Sequence, residues 1–310
     1  MELRQLRYFV AICEHGTFSK AAGKVFVAQS ALSHQLAQLE NELGAALFHR
    51  SRRGVALTEA GEIFHAHAVS ILRQVDDARA SVASIGDTPA GKVVLGIPHS
   101  ASNALALPIL TAVRAELPRV ELELTEELTG NLTRQLLSGS LHLAILFDDG
   151  QLDDFVVEPM VSERMSLIGR ADLLGKPTRR SVSFGDALRS PLILPAPPHG
   201  VRPIIEMAAA RAGLPPANVI ADISSISILR TSLLAGMGCT ILPTMPLKPE
   251  IDGGQLVALP IRPPGVTRMV ALCRSRQIPL SAAARSVGSL VQRVAHDLCA
   301  RGAWADASAL

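Results

Sequence analysis

The chain has 310 residues, enough for two or three domains, and 48% of them are hydrophobic, which is ample for packed cores. Its 30 Lys and Arg against 28 Asp and Glu leave a net charge of +2, which excludes a uniformly basic, histone-like protein, and 19% charged residues argue against a disordered chain. Aromatic residues make up only 3%, too few for the stacking platforms of single-strand nucleic-acid binders.

The four cysteines show no metal-binding or redox spacing. Cys13, Cys239, Cys273 and Cys299 form no C-x-x-C pair, so neither a zinc ribbon nor a thioredoxin-type site fits. We interpret them as buried thiols in a reducing cytoplasm. The N-terminus lacks the apolar run of a signal peptide, and no apolar stretch reaches the roughly 18 residues of a membrane span. The sequence predicts a cytoplasmic protein without a membrane, metal or cofactor site.

Charge is distributed in blocks that the net value hides. Residues 1–58 carry seven Lys and Arg against four Glu, a net charge of +3. Residues 59–91 carry two Arg against five acidic residues, a net charge of −3. A small basic unit followed by an acidic segment suggests two parts with different roles.

Three short helices are predicted in the basic block. Apolar residues recur at helical spacing over 3–13, and Gly16 ends that helix. A second helix begins at a cap within 17–19. A third runs over about 29–43, with a buried leucine stripe and Gly44 closing it.

The outer face of the third helix is polar and short-chained, as base reading in the major groove requires. An Arg-rich turn follows and is predicted to be a two-stranded wing whose arginines reach phosphates or the minor groove. A small helical bundle with a solvated polar face is the alternative interpretation. The candidate DNA-binding residues are Gln29, Ser30, Ser33, His34, Arg50, Arg52 and Arg53.

Residues 58–87 are predicted to form one helix about 40 Å long, capped by Thr58. Its apolar positions follow steps of three and four, which is a heptad seam. This spacing indicates packing against another helix, most simply the same helix of a second subunit, with packing on its own domain as the alternative. The seam consists of Ala68, Ile71, Val75, Ala78, Val82 and Ile85.

From residue 92 onward, strand-like and helix-like segments alternate, which predicts an α/β fold with a mostly parallel sheet. About 210 residues is more than one compact sheet usually takes, so we expect two lobes. Lobe I covers about 92–161 and 266–301, and lobe II about 162–265. The predicted order is a DNA-binding domain over 1–58, a linker and dimerisation helix over 59–87, a hinge over 88–91 and an effector-binding domain over 92–310.

The order of residues over the first 60 positions carries a family resemblance. The landmarks are Phe9, Ser19, Ala21, Ala22, Gln29, Ser30, Leu32, Ser33, Leu39, Glu40, Leu43, Gly44, Leu47, Phe48, Arg50, Leu57, Thr58 and Gly61. This segment resembles the DNA-binding domain of the LysR-type transcriptional regulators. Family members usually carry a larger cation where this chain has His34, and often Ser or Thr at Ala28. The segment 194–202 resembles the nitrogen-assimilation-control (Nac-like) branch.

The resemblance implies the whole fold: an N-terminal all-α winged helix-turn-helix with a long linker helix, and a C-terminal α/β two-lobed effector domain resembling type 2 periplasmic binding proteins. It also implies an effector pocket between the lobes. The helix start at Ser100 and the guanidinium of Arg202 indicate a small carboxylate-bearing effector. A vestigial pocket, with control through abundance, is the alternative. The pocket residues carried over are His99, Ser100, Ser102, Thr129, Gly130, Phe147, Pro197, His199, Arg202, Ser224 and Ser225.

We therefore expect a sequence-specific transcriptional regulator, not an enzyme. Its expected partners are double-stranded promoter DNA, a small-molecule effector and, as a further candidate, RNA polymerase, in a homodimer or homotetramer. A solute-binding protein of a transporter is the first rival, but it would need a signal peptide or lipid anchor. An enzyme fused to a regulator domain is the second, but no G-x-S-x-G, H-E-x-x-H or phosphate-binding loop supports it.

Overall fold

Two compact units make up the structure, one within residues 1–85 and the other within residues 86–310. The structure is a computed structural model. It describes residues 1–51, 54–83, 89–174, 180–196, 200–263 and 265–310.

The N-terminal unit has the predicted helix–turn–helix and wing. Two of its helices end where the sequence indicated, because Gly16 and Gly44 both adopt the left-handed φ of 68° that ends a helix. The Thr17 hydroxyl caps the second helix by accepting from the Lys20 N–H at 3.3 Å. The elements are α1 (Leu3–His15), α2 (Phe18–Lys24), α3 (Gln29–Leu43), β1 (Phe48–Ser51), β2 (Gly54–Leu57) and α4 (Glu59–Ala83).

An aromatic cluster forms the centre of this unit. The ring of Phe9 on α1 lies 5.2 Å from that of Phe48 on β1 and 5.0 Å from that of Phe64 on α4. Three leucines of α3 are buried against the same core, which turns the polar face of that helix outward. They are Leu32, Leu36 and Leu39.

The wing is fastened to the helices through backbone contacts. The Val55 N–H donates to the Gly16 carbonyl at 3.0 Å. A Cβ at Gly54, whose φ is 131°, would lie 2.6 Å from that carbonyl oxygen, so glycine is required there. The Thr58 hydroxyl donates to the Ala46 carbonyl at 2.7 Å and accepts from the Gly61 N–H at 3.0 Å, confirming Thr58 as the cap of α4.

The predicted seam of α4 needs a correction at its first positions. Ala68 is fully buried in the core of its own unit, with Ile71 packed beside it. The steps of three and four residues arise here because this part of α4 packs on α1 of the same unit. Further along, Val75 is half-buried and Val82 is 72% exposed, so these residues remain available to a second helix, while the last predicted position, Ile85, lies outside the described residues.

The C-terminal unit is an α/β fold with two sheets and a short strand pair. Of the predicted hinge over 88–91, residue 88 lies outside the described residues, and residue 91 already belongs to the first strand. Its elements are β3 (Gly91–Pro98), α5 (His99–Glu116), β4 (Val120–Glu127), α6 (Thr129–Leu137), β5 (Leu143–Phe147), β6 (Phe155–Arg164), β7 (Ser166–Gly169), α7 (Ala171–Leu174), α8 (Phe184–Arg189), β8 (Leu192–Leu194), α9 (Arg202–Arg211), β9 (Val219–Asp222), α10 (Ile226–Leu234), β10 (Thr240–Leu242), a 3-10 helix (Met245–Leu247), α11 (Lys248–Asp252), β11 (Val257–Pro260), β12 (Thr267–Ser275), α12 (Ala282–Ala300) and β13 (Ala307–Ala309).

The prediction of a mostly parallel sheet is wrong. The large sheet has the order β13-β6-β12-β5-β3-β4, and only the pairs β3–β4 and β3–β5 are parallel. Strand β12 is antiparallel to both β5 and β6, because β6 carries the chain out of the first lobe and β12 carries it back. In the second lobe β7 pairs antiparallel with β10 and β11, while β8 and β9 are parallel.

The C-terminal end extends lobe I beyond the predicted limit of residue 301. Strand β13 pairs with β6, and Trp304 just before it is 1% exposed. This strand could not be predicted because Ala307–Ala309 is only three residues long and contains no β-branched or aromatic residue. Among the described residues, no helix combines the length and apolarity needed to cross a bilayer.

Candidate DNA-binding surface and effector cavity

The N-terminal end of α3 forms an exposed polar surface. Gln29, Ser30 and His34 are exposed, while Ser33 is half-buried beside the leucine stripe. The residue before the helix, Ala28, supplies no side-chain hydrogen bond to the first turn. The first backbone N–H groups of a helix attract anions, so this end of α3 suits an approach to DNA phosphates and base edges.

The wing carries the predicted arginines, but the structure describes only its strands. Strands β1 and β2 are antiparallel, with Ser51 opposite Gly54. Arg50 lies on β1, its side chain outside the described part of the chain, and Arg52 and Arg53 also lie outside the described residues. Their phosphate contacts therefore remain predictions.

A cavity in the C-terminal unit lies between the start of α5 and the second lobe. It offers about 40 Å³ to water-sized molecules, room for one or two waters. Pockets for metabolite-sized ligands usually measure several hundred Å³, so the cavity is small for such a ligand in this structure. The lining residues are Pro98, His99, Ser100, Glu127, Leu128, Thr129, Phe147, Pro195, Gly200, Val201, Ile223, Ser224, Ile226, Leu229 and Leu242.

Three hydroxyls in this lining each accept one hydrogen bond from the protein. Ser100 Oγ accepts from Arg268 Nη1 at 2.8 Å, and Thr129 Oγ1 accepts from the Gly200 N–H at 3.1 Å. Ser224 Oγ accepts from the Ala196 N–H at 3.3 Å. A hydroxyl that accepts in this way keeps its own proton for donation, so the three suit a ligand rich in acceptor oxygens.

A buried ion pair lies behind the cavity wall, and sequence reasoning did not find it. Arg268 Nε on β12 is 2.6 Å from Glu163 Oε2 on β6, and both side chains are fully buried. The guanidinium also lies 3.8 Å from the ring centroid of Phe147. Trp304 Nε1 donates to the second oxygen of Glu163 at 2.8 Å. The sequence offered only a weak signal for this pair, because β6 also carries Glu158 and Arg164 and β12 also carries Arg274.

The structure does not place Arg202 in the cavity lining, which corrects its predicted role as the carboxylate clamp. Its guanidinium pairs with Glu206 on α9 and, at 3.2 Å, with Asp222 on β9. Both acidic partners occupy the fork that an effector carboxylate would need. Arg202 therefore braces α9 against β9.

The other predicted pocket residues divide into two groups. His99, Ser100, Thr129, Phe147 and Ser224 line the cavity. Ser102, Gly130 and Ser225 do not line it. Ser102 donates to Glu126, Ser225 caps α10 by accepting from the Ile228 N–H, and Gly130 lies on α6. Pro197 and His199 lie outside the described residues.

Comparison with known families assigns both units. Residues 3–62 match the model of the bacterial regulatory helix-turn-helix protein, lysR family, and residues 86–295 match the LysR substrate binding domain. The two matches follow each other along most of the chain. The chain is a LysR-type transcriptional regulator. It binds DNA through its helix–turn–helix and carries an effector-binding domain.

Relatives agree over nearly the whole length of this regulator. It is 34% identical to the nitrogen assimilation regulatory protein Nac of Klebsiella aerogenes, with 94% of each chain covered, which supports the Nac-like branch. It is 30% identical to the regulator BbuR of Bordetella bronchiseptica, covering 96% of this chain and 91% of that one. It is also 30% identical to OxyR of Escherichia coli, covering 90% and 91%.

Solved structures share the fold of this LysR-type regulator. A full-length OxyR variant from Pseudomonas aeruginosa superposes with a TM-score of 0.70 at 24% identity, covering 96% of this chain and 95% of that one. CbnR in complex with its target DNA gives a TM-score of 0.69 at 21% identity, covering 95% and 100%.

All four thiols of this regulator have raised pKa values. Burial raises the pKa of Cys13 to about 12, that of Cys239 to about 11 and that of Cys273 to about 12, and it also raises the pKa of Cys299. The thiolate is the form that reacts with oxidants, and a raised pKa keeps it scarce at neutral pH.

Alkylation with iodoacetamide at pH 8 tests this assignment. We expect Cys239 to react about 100-fold, and Cys13 and Cys273 about 1,000-fold, more slowly than the same thiols in urea, because the thiolate fraction falls tenfold with each unit of raised pKa. The raised pKa also means that folding stability is fully present below the ordinary value of 9.0 and falls as the pH rises above it. A native thiol that reacts at the unfolded rate would contradict this account.

Proposed function

We propose that this regulator reads promoter DNA with Gln29, Ser30, Ser33 and His34 of α3 and holds the flanking phosphates with Arg50, Arg52 and Arg53 of the wing. A small effector in the C-terminal cavity adjusts the geometry of DNA binding. The observation that carries the DNA-reading part is the exposed polar N-terminal end of α3, opposite its buried leucine stripe. Regulation in the bacterial cytoplasm, not catalysis, is the role assigned.

Gln29→Ala tests base reading directly. On a duplex selected by the full-length protein from a random-sequence pool, we expect a loss of about 1–3 kcal/mol, because a bidentate contact to a base is removed. Specificity at one base position should relax. Fluorescence anisotropy titrations with the selected duplex and a scrambled duplex measure both effects.

Gln38→Ala is the matched control for this substitution. Gln38 is exposed on the same helix, nine residues further along, which is half a turn around the axis and about 13 Å away. Its substitution should leave both affinities unchanged. Equal losses on selected and scrambled DNA for Gln29→Ala would remove Gln29 from the base-reading set.

For the effector, we propose a small molecule with one carboxylate and an apolar body. The hydroxyls of Ser100, Thr129 and Ser224 would donate hydrogen bonds to the carboxylate. Arg268, which donates to Ser100 Oγ, would polarise that hydroxyl. Phe147 and the aliphatic lining would contact the apolar body. Such a ligand shifts the regulator only through unequal affinity for its open and closed states.

A thermal-shift screen of small carboxylates and their amides against the full-length protein tests this proposal. A matching carboxylate at 100 times its Kd should stabilise the protein by about 2.7 kcal/mol, and its amide by much less. Ile226→Trp fills the cavity and should abolish the shift. Ile228→Trp, on the same helix but outside the lining and 57% exposed, should retain it.

If the pocket is vestigial, the same screen should find no stabilising ligand. If no carboxylate or amide in the screen stabilises the wild-type protein, the cavity does not serve as a sensor and control lies in abundance. A shift that survives Ile226→Trp would place the effector elsewhere.

We further propose a homodimer through α4, with assembly into a tetramer. Val82 is 72% exposed and Val75 is half-buried, so an apolar strip of α4 beyond Ile71 stays open in the protomer. Covering it with the same strip of a second subunit would bring two winged units together on one duplex. RNA polymerase is the proposed downstream partner.

A further inference from the structure

Phe26 stands out in the turn between α2 and α3. Its φ is 56°, in the left-handed region, and its side chain is 93% exposed. Among the described residues, the only other residue besides glycine with a positive φ is Asp306. A left-handed conformation is a true outlier for a bulky residue, and such outliers persist where the surroundings or a function require them.

The end of α2 explains the backbone conformation but not the side chain. The Val27 N–H donates to the Ala22 carbonyl at 3.0 Å, and the Val25 N–H donates to the Ala21 carbonyl at 3.0 Å. This pattern ends a helix with one left-handed residue, and glycine is the usual choice because it has no Cβ. Turns of helix–turn–helix motifs often contain such a glycine. Phenylalanine therefore occupies a position where glycine would be more stable.

Packing within the protein does not account for the ring either. The ring contacts found among the described residues of the N-terminal unit join Phe9, Phe18, Phe48, Phe64 and His65. Phe26 takes part in none of the ring contacts found within the described residues. A single exposed apolar residue is ordinary, but one that also holds a costly left-handed backbone is typical of a residue that contacts a ligand.

The position of the turn identifies that ligand. Phe26 lies two residues before Ala28, and residues 28–31 at the start of α3 are all exposed. On the other side of the ring along the chain, Lys20 and Lys24 are exposed cations of α2. Along the chain, the ring therefore lies between two lysines that attract phosphates and the end of α3 proposed to read bases. Duplex DNA offers both a negative backbone and apolar sugar surface at the rim of the major groove.

Resting on the DNA-binding role proposed for α3, we propose that Phe26 is a DNA-contacting residue whose ring packs against a deoxyribose at the rim of the major groove, with Lys24 on the neighbouring phosphate. The contact fixes how deeply the start of α3 enters the groove. It is apolar and independent of base identity, so it contributes affinity without altering the salt dependence. Lys24, by contrast, contributes affinity that depends on salt, because its contact with a phosphate releases counterions.

Phe26→Gly in the full-length protein separates this role from a structural one. The melting temperature should stay equal or rise, because glycine relieves the left-handed backbone. Affinity for the selected duplex should fall about tenfold per half-site, as expected for losing the burial of a phenyl ring. The slope of log affinity against log salt should not change, whereas Lys24→Ala should reduce it by about one.

Two further variants serve as controls. Phe26→Tyr keeps the ring and should retain wild-type affinity. Leu43→Ala removes a 40% exposed apolar side chain at the opposite end of α3 and should not affect DNA binding. Unchanged affinity in Phe26→Gly would overturn the proposal. So would a loss that disappears on a duplex carrying deoxyuridine in place of thymidine, because the contact would then be to thymine methyl groups.

Discussion

Glu163→Ala should lower the free energy of unfolding of the C-terminal unit by about 3–5 kcal/mol, because it leaves the guanidinium of Arg268 buried without a charge partner. The pair is fully buried, with 2.6 Å between Nε and Oε2. The substitution also removes the acceptor of the Trp304 indole N–H. Urea unfolding followed by the fluorescence of Trp304, the one tryptophan of the chain, measures the loss.

The double variant Glu163→Leu with Arg268→Met is the control for this prediction. Replacing a buried ion pair by apolar residues of similar volume is often neutral or stabilising, so most of the lost stability should return. A loss below about 1 kcal/mol in Glu163→Ala would contradict the assignment of the pair as an interdependent buried unit. The same double variant should weaken effector binding, because Ser100 loses its hydrogen bond from Arg268.

Val75→Glu should convert the proposed dimer into monomers, because a charge would be buried without a partner in the seam of α4. Affinity for the selected duplex should then fall about 100-fold or more. In a dimer, binding of the first DNA-binding unit raises the effective concentration of the second at the same duplex, and a monomer loses this gain. Sedimentation velocity measures the assembly, and anisotropy titration measures the DNA affinity.

Gln74→Glu is the matched control, since it introduces the same charge one residue away at an exposed position of α4. It should leave both the dimer and DNA binding intact. If Val75→Glu remains dimeric, dimerisation lies in another part of the chain, and the proposal for α4 is wrong.

Local patterns predicted the N-terminal unit well. Gly16, Gly44 and Thr58 each act within a few residues of their own position, so helix ends and caps could be read from the sequence. The seam of α4 was only partly right, because a step of three and four does not reveal whether Ala68 packs on its own unit or on a partner.

The cavity was harder to predict because its contacts join distant parts of the chain. Ser100 and Arg268 are 168 positions apart and meet only through the pairing of β12 within the sheet. Arg202 looked like an anion ligand from its place near a helix start, yet Asp222 lies close enough in the fold to engage it. Sequence spacing carries no information on such competition between partners.

The most direct test of the central claim is the ratio of two dissociation constants for the full-length protein at physiological salt. One is measured on the duplex selected from the random-sequence pool, the other on a scrambled duplex of the same length and composition. A regulator that reads bases through α3 should bind the selected duplex at least about 1,000-fold more tightly. Equal affinities for the two duplexes would contradict sequence-specific recognition by this protein.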